Sequence, residues 1–286
     1  MQHTALKYRL SRTIGRTFAY LLALLLAFMI LFPFLYILST ALKSSSDLAT
    51  SAGRFLPQVF TWSNFAEAWQ LLDFPVCFLN SFFVSIMVTL LTVIVCSMAA
   101  YVFTRLHFQG KNILFILYLS TMMIPITVRL IPSYMLCNNL HLLDTYTGMI
   151  LPQVAWSIPF GTFLMRQFYY GVPRELDEAA KIDGASHFKI FMRIIVPQTK
   201  SSMTTLGTYT FISAWNNLIW MLLSVSDKSK WTITLGISSI CGASVVKQPP
   251  WNLIMCVIVI GLIPVLILYF AFQKYFIQSV ATSGIK

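Results

Sequence analysis

Acidic side chains are scarce in this sequence: nine Asp and Glu stand against twenty Lys and Arg. None of the nine falls inside a long apolar run, where a proton or sodium relay would ordinarily place its carboxylate. That argues against ion coupling through side chains, although backbone carbonyls can still bind sodium. Cysteine is equally thin. Cys77, Cys96, Cys137, Cys241 and Cys256 are scattered and never spaced C-x-x-C, which describes small buried hydrophobes rather than disulfides or metal ligands. His3, His107, His141 and His187 show no metal spacing either. Paired carboxylates at a useful depth, a Ser/His/Asp set and a phosphate loop are all missing. The one Gly-Lys pair, Gly110-Lys111, is followed by Asn112. Enzyme chemistry has no support here, and no metal or cofactor bound by this chain is expected.

What the sequence has in quantity is apolar surface. At 57% hydrophobic, 10% charged and a mean hydropathy of +0.75, its 286 residues read as an all-α integral membrane protein, with the lipid bilayer as solvent. The basic surplus does not point to nucleic acid. It sits in short connections between apolar runs, where lipid headgroups account for it, and no basic helix or basic-aromatic sheet pattern accompanies it.

Six spans are expected. A basic arm, residues 1–17, carries Lys7, Arg9, Arg12 and Arg16. Phe18–Leu38 follows without a charge, longer than the roughly 7–15 apolar residues of a signal core, so a retained span is favoured over a signal peptide cleaved near Ser39-Thr-Ala41. Residues 39–75 are mixed, with Trp62 and Trp69 as interface anchors. Val76–Phe103 is the second span, a third starts at Ile113 and runs into Arg129, and Tyr146–Met165 is the fourth. Ser201–Val225 is the fifth and Trp251–Phe272 the sixth, within a membrane domain of residues 18–276 and ahead of a tail at 277–286. Trp231–Val246 is too short and too rich in Gly and Ser to cross comfortably, so a re-entrant or surface segment is expected. Pro33, Pro125, Pro152, Pro159 and Pro264 should kink their spans. With six crossings both termini share a side, and the Lys/Arg excess in the arm, the 104–112 loop, residues 166–200 and the tail places that side in the cytoplasm.

Two spans carry polar stripes. Ser81, Ser85, Thr89 and Thr92 share one helical face in the second, and Thr205, Tyr209, Ser213 and Asn216 share one in the fifth. Helix packing through hydroxyls is the commoner use of such a stripe, and a wet path is the other. Trp156, Tyr209, Trp215 and Asn216 are further candidate contacts along such a path by type and depth. Arg129, the one charge near a span's interior, is expected to snorkel to the outer surface.

The most informative stretch is a polar island, residues 172–197, which holds Glu175, Asp177, Glu178 and Asp183 between apolar segments. It reads as two short helices at a corner. Pro173 suits a first helical position, the three early carboxylates suit the positive end of the helix dipole, and Gly184 can take the left-handed turn that ends it. Ser186 can cap a second helix whose apolar residues Phe188, Phe191, Met192 and Ile195 recur at helical spacing, before Pro197 stops or bends it.

Glu178-Ala179-Ala180, followed by Gly184, Ile194 and Pro197 at their spacings, resembles the EAA loop of ABC importer permeases. The fuller run Pro173 to Ala185 is similar to the carbohydrate-uptake branch, in particular to the smaller permease of maltose-type importers. Asn80-Ser81, Ala100-Tyr101, Arg105 to Lys111, Met123-Ile-Pro125, Ile158-Pro-Phe160 and Trp215-Asn216 follow that family in order. The chain departs from it at Val196, after Pro197, at Met221 and at Ser279. The resemblance implies a type I importer-like permease in a bacterial or archaeal plasma membrane, whose loop at 169–200 docks as a coupling helix on an ATP-binding subunit. Glu178, Ala179, Ala180, Asp183 and Gly184 would meet that subunit, with Phe188 and Phe191 filling the apolar part of its cleft. It also implies a heterodimer with a second permease, two ATP-binding subunits that hold ATP and Mg, and an extracellular sugar-binding protein. An autonomous secondary transporter or a membrane scaffold is the other class of reading. Co-purification with an ATPase separates the two.

Overall fold

The computed structural model describes residues 2–50, 53–243 and 249–283. Lys247 and Lys286 lie outside them, as does the end of the 231–246 segment. Regular structure among the described residues is entirely helical: α1 (Gln2–Ala41), α2 (Ser45–Thr50), α3 (Ser63–Gln70), α4 (Phe74–Arg105), α5 (Lys111–Ser120), α6 (Ile126–Asn139), α7 (Tyr146–Tyr170), α8 (Glu175–Ile182), α9 (His187–Ile190), α10 (Val196–Gln198), α11 (Lys200–Trp215), α12 (Ile219–Ser224), α13 (Ile233–Ala243) and α14 (Trp251–Ser283). They fall into two compact units, Met1–Leu71 with Ser244–Ile260, and Leu72–Ala243 with Gly261–Lys286.

In the first unit α1 exposes every side chain from Gly15 to Tyr36, as an apolar helix does when lipid or another chain is its partner. Its end is tied down by polar contacts. Asn64 donates to the carbonyls of Ala41 and Lys43 at 2.8 Å each, satisfying acceptors that a helix terminus leaves open.

The second unit is organised on α4, which packs along α7 and α11. Gly161 makes this crossing possible, since a Cβ there would sit 2.6 Å from Cys96 Sγ and 3.2 Å from Leu206. At one end of α4, Asn80 spends its whole amide: it donates to the carbonyls of Ser229 and Trp231 at 2.9 and 3.0 Å and accepts from Tyr146 Oη at 2.7 Å. Ser81 Oγ accepts from the Ile233 amide at 2.8 Å, opening α13. Near the same end Thr145 caps α7 by accepting from Gly148, and Gly148 leaves no room for a side chain because a Cβ would lie 2.0 Å from the Leu142 carbonyl.

Among the described residues four helices are long and apolar enough to cross a membrane: Gly15–Ala41, Phe74–Arg105, Tyr146–Tyr170 and Trp251–Lys274. The expected third span is instead two helices bent by 99° at a break. Pro125 explains the break, since it offers no amide and forces Ile124 into an extended conformation. Pro33, Pro152, Pro159 and Pro264 lie inside helices that run on. The expected fifth span is also interrupted, and no proline is responsible. Asn217 Oδ1 accepts from the Trp220 amide at 3.2 Å, starting α12 afresh, while its Nδ2 donates to Gln153 Oε1 at 2.8 Å. α13 is short, and Ile233 and Leu235 are buried in it, in keeping with a segment that does not cross.

Candidate functional site

The polar island is a two-helix corner built on the end of α4. α8 begins at Glu175, two residues after Pro173, and ends at the left-handed Gly184 with φ +73°. Ala185 donates to the Ala180 carbonyl at 2.9 Å and Gly184 to that of Lys181 at 3.0 Å, the paired bonds of a Schellman turn. Ser186 then caps α9 by accepting from Lys189 at 3.3 Å. Apart from its chain neighbours, no atom of the described residues lies within 4 Å of a Cβ placed on Gly184, so the corner stands free.

The corner is clamped from beneath. Arg105 Nε lies 3.0 Å from Asp177 Oδ2, with both side chains buried, and Arg105 Nη2 donates to the Val172 carbonyl at 2.7 Å. The Arg105–Asp177 contact is electrostatic, its angle falling outside hydrogen-bond geometry. Lys111 Nζ donates to the Leu106 carbonyl at 2.8 Å, and Arg174 reaches that of Thr104 at 3.5 Å, so cations meet the negative end of α4. Tyr101 stacks obliquely on Phe191 with ring centres 5.3 Å apart.

The apolar stripe on the second helix differs from the sequence expectation. Residues 191–195 form a π turn, which inserts an extra residue, so the buried set is Ile190, Phe191 and Ile195 rather than Phe188, Phe191, Met192 and Ile195. Pro197, with no amide to offer the Arg193 carbonyl, favours that wider turn. Phe191 is therefore committed to this chain's own packing and is not free to fill another protein's cleft. Phe188 is 66% exposed, and Glu178, Ala179, Asp183 and Gly184 are exposed beside it, with Ala180 half-buried. Ile182, at 87% exposed, is a bare apolar side chain that the motif did not single out.

A second feature is a polar cavity of about 180 Å³ between α4, α6, α7 and α11. It brings together three of the path candidates, Trp156, Tyr209 and Ser213, with Arg129. Sequence reasoning missed Gln153 and Asn217, which also line it, because neither belongs to a polar stripe. Phe160 faces Tyr209 with centroids 5.0 Å apart, giving the cavity an aromatic wall. Arg129 is half-buried and its Nε has no hydrogen-bond partner among the described residues, so it lines this cavity instead of snorkelling free to a surface.

The remaining candidates lie outside the lining of this cavity. Ser81 holds α13, and Ser85 is buried beside Val84 and Val88. Thr89 bonds back to the Ser85 carbonyl at 2.7 Å and faces Gly207. Thr205 bonds back to Ser201, and Asn216 to Ile212, each at 2.9 Å. Trp215 is buried between Phe78 and Phe211, outside the cavity lining. No group of His, Cys, Asp or Glu able to hold a metal occurs among the described residues.

Residues 92–282 match the family described as binding-protein-dependent transport system inner membrane component. The arabinooligosaccharides transport system permease protein AraQ of Bacillus subtilis is 33% identical over 89% of this chain and 90% of its own length. The sn-glycerol-3-phosphate transport system permease protein UgpE of Yersinia pestis is 34% identical over 80% and 82%. A chain in the crystal structure of a bacterial ABC transporter involved in the import of the acidic polysaccharide alginate has the same fold. Its TM-score is 0.79 at 24% identity, covering 93% of this chain and 97% of that one.

Proposed function

The chain belongs to the family of binding-protein-dependent transport system inner membrane components, and from that premise we propose that it is a membrane-spanning permease subunit of an ATP-driven carbohydrate importer. The free-standing corner at Gly184 carries the reading. A buried ion pair anchors it below, while an exposed face of Glu178, Ala179, Ile182, Asp183 and Phe188 is left for another protein. In this proposal α8 and the corner after it form the coupling element within residues 169–200. An ATP-binding subunit grips it, supplies ATP and Mg, and through it moves the spans.

Six crossings are part of the proposal: α1, α4, the bent pair α5 and α6, α7, the interrupted pair α11 and α12, and α14. Both termini and the corner then lie in the cytoplasm, with the arm at 1–17 and the tail at 277–286 beside them. The clustering of Lys and Arg in residues 166–200 supports that orientation. The complex we propose adds a second permease, two ATP-binding subunits and an extracellular sugar-binding protein, and the chain itself performs no catalysis. Relatives named for arabinooligosaccharide and glycerol-3-phosphate transport support a carbohydrate-type cargo.

The test is co-purification of the chain with the ATPase made beside it, followed by ATP-dependent sugar uptake in proteoliposomes. Uptake that proceeds without any ATPase would overturn the proposal in favour of an autonomous transporter.

A further inference from the structure

The cavity beneath the bend at Pro125 has a charge that the other described residues leave unanswered. Arg129 is its one ionic lining residue, in the first turn of α6, and it forms no ion pair or cation–π contact among the described residues. Its Nε is buried with no hydrogen-bond partner among the described residues, and a buried donor left unpaired is costly. The two amide neighbours are already engaged. Gln153 donates to the Met149 carbonyl at 2.7 Å and accepts from Asn217, while Asn217 Oδ1 is taken by the Trp220 amide. The amides thus serve one another, and the guanidinium donors are left over. The positive end of the α6 dipole opens at the same place, since Ile126, its first residue, also lines the cavity. Around this positive corner stand the rings of Trp156, Phe160 and Tyr209, flat apolar surfaces of the sort that pack on the CH faces of a sugar ring.

We propose that this cavity is a cargo site of the present chain, taking a sugar or polyol that carries a carboxylate or phosphate, with Arg129 as the residue that binds the anion. The proposal rests on the importer reading and narrows it to an acidic cargo. Arginine suits the task because its planar fork matches both oxyanions in a bidentate way, which lysine cannot reproduce.

The experiment uses the complete transporter in membranes with Ser213→Cys, a cavity position, and the same transporter without it to subtract the native cysteines. Reaction rates are measured with an anionic (sulfonatoethyl) and a cationic (trimethylammonioethyl) methanethiosulfonate, each normalised to its rate on a free thiol. The anionic reagent is expected to be favoured by tenfold or more. That preference should vanish when Arg129→Gln is added and survive in part with Arg129→Lys. Galacturonate and glycerol 3-phosphate should slow the reaction where galactose does not. An unchanged charge preference in Arg129→Gln, a Ser213→Cys that neither reagent reaches, or equal protection by galactose would overturn the proposal. Protection by inorganic phosphate as strong as by the two organic anions would remove the sugar or polyol from it. Failure of the importer reading shows separately, as absent ATP-driven uptake in the unsubstituted complex.

Discussion

Arg105 Nε sits 3.0 Å from Asp177 Oδ2, linking the last residue of α4 to the first turn of α8. Both partners are more than nine-tenths buried, and Arg105 also holds the Val172 carbonyl. A displacement of α8 therefore pulls on the C-terminal end of the helix around which the second unit is packed.

Removing one partner of such a pair leaves a buried charge alone, at a cost of about 3–5 kcal/mol. Asp177→Asn should loosen the corner, seen as faster tryptic cleavage at Lys181 and Lys189 and at least a tenfold fall in ATP-driven uptake. Cleavage rates equal to the unsubstituted protein's would show that the pair does not hold the corner.

Phe188 and Phe191 are three residues apart and should behave oppositely. Phe191→Ala empties a packed site against Tyr101 and should cost about 3–5 kcal/mol of stability, read as a lower melting temperature in detergent. Phe188→Ala removes an exposed ring, so the melting temperature should hold while affinity for the ATPase falls several-fold. Equal melting shifts in the two variants would contradict the π-turn register.

Gly148 and Gly161 are close-approach glycines of different severity. Gly148→Ala places a methyl 2.0 Å from backbone oxygen and should abolish accumulation of folded protein in the membrane. Gly161→Ala meets the short Cys96 side chain and should cost about 1–3 kcal/mol, recoverable in part by Cys96→Ala. Membrane levels and thermal melting of the double variant check this. A lack of rescue would move the strain elsewhere.

Asp144 ties the loop after α6 to the turn after α12. Its backbone is left-handed, φ 56°, and its Oδ1 accepts from the amides of Ser226 and Asp227 at 2.5 and 2.8 Å. Asp144→Ala should expose residues 226–231 to protease from the proposed outer face. Asp144→Asn, whose carbonyl can still accept, should be protected at least in part. Identical protection in the alanine variant would show that the turn holds without the carboxylate.

Much of this was legible in the residues. Gly184 as a left-handed corner and Ser186 as a cap follow from local backbone chemistry, which is why they could be read without tertiary contacts. Pro125 broke its span, whereas the helices that hold Pro159 and Pro264 run on past them, a difference that the absent amide common to all three could not foretell. The gap after Trp215 was hidden, since it depends on Asn217 choosing Trp220 and Gln153 as partners, and Gln153 is 64 residues away in the chain. The Arg105–Asp177 pair was hidden for the same reason: alone, Arg105 reads as a loop charge and Asp177 as one of several carboxylates at a helix start. Arg129 was legible as unusual, but its direction depended on the 99° bend.

Gly184 tests the central claim most directly, because the free space around it separates backbone strain from partner contact. Gly184→Ala should cost about 1–2 kcal/mol of local strain and leave ATPase co-purification largely intact. Gly184→Arg, equally strained but bulky on the exposed corner, should reduce recovery of the ATPase by tenfold or more while membrane levels of the chain hold. Undiminished ATPase recovery and uptake in Gly184→Arg would contradict the account.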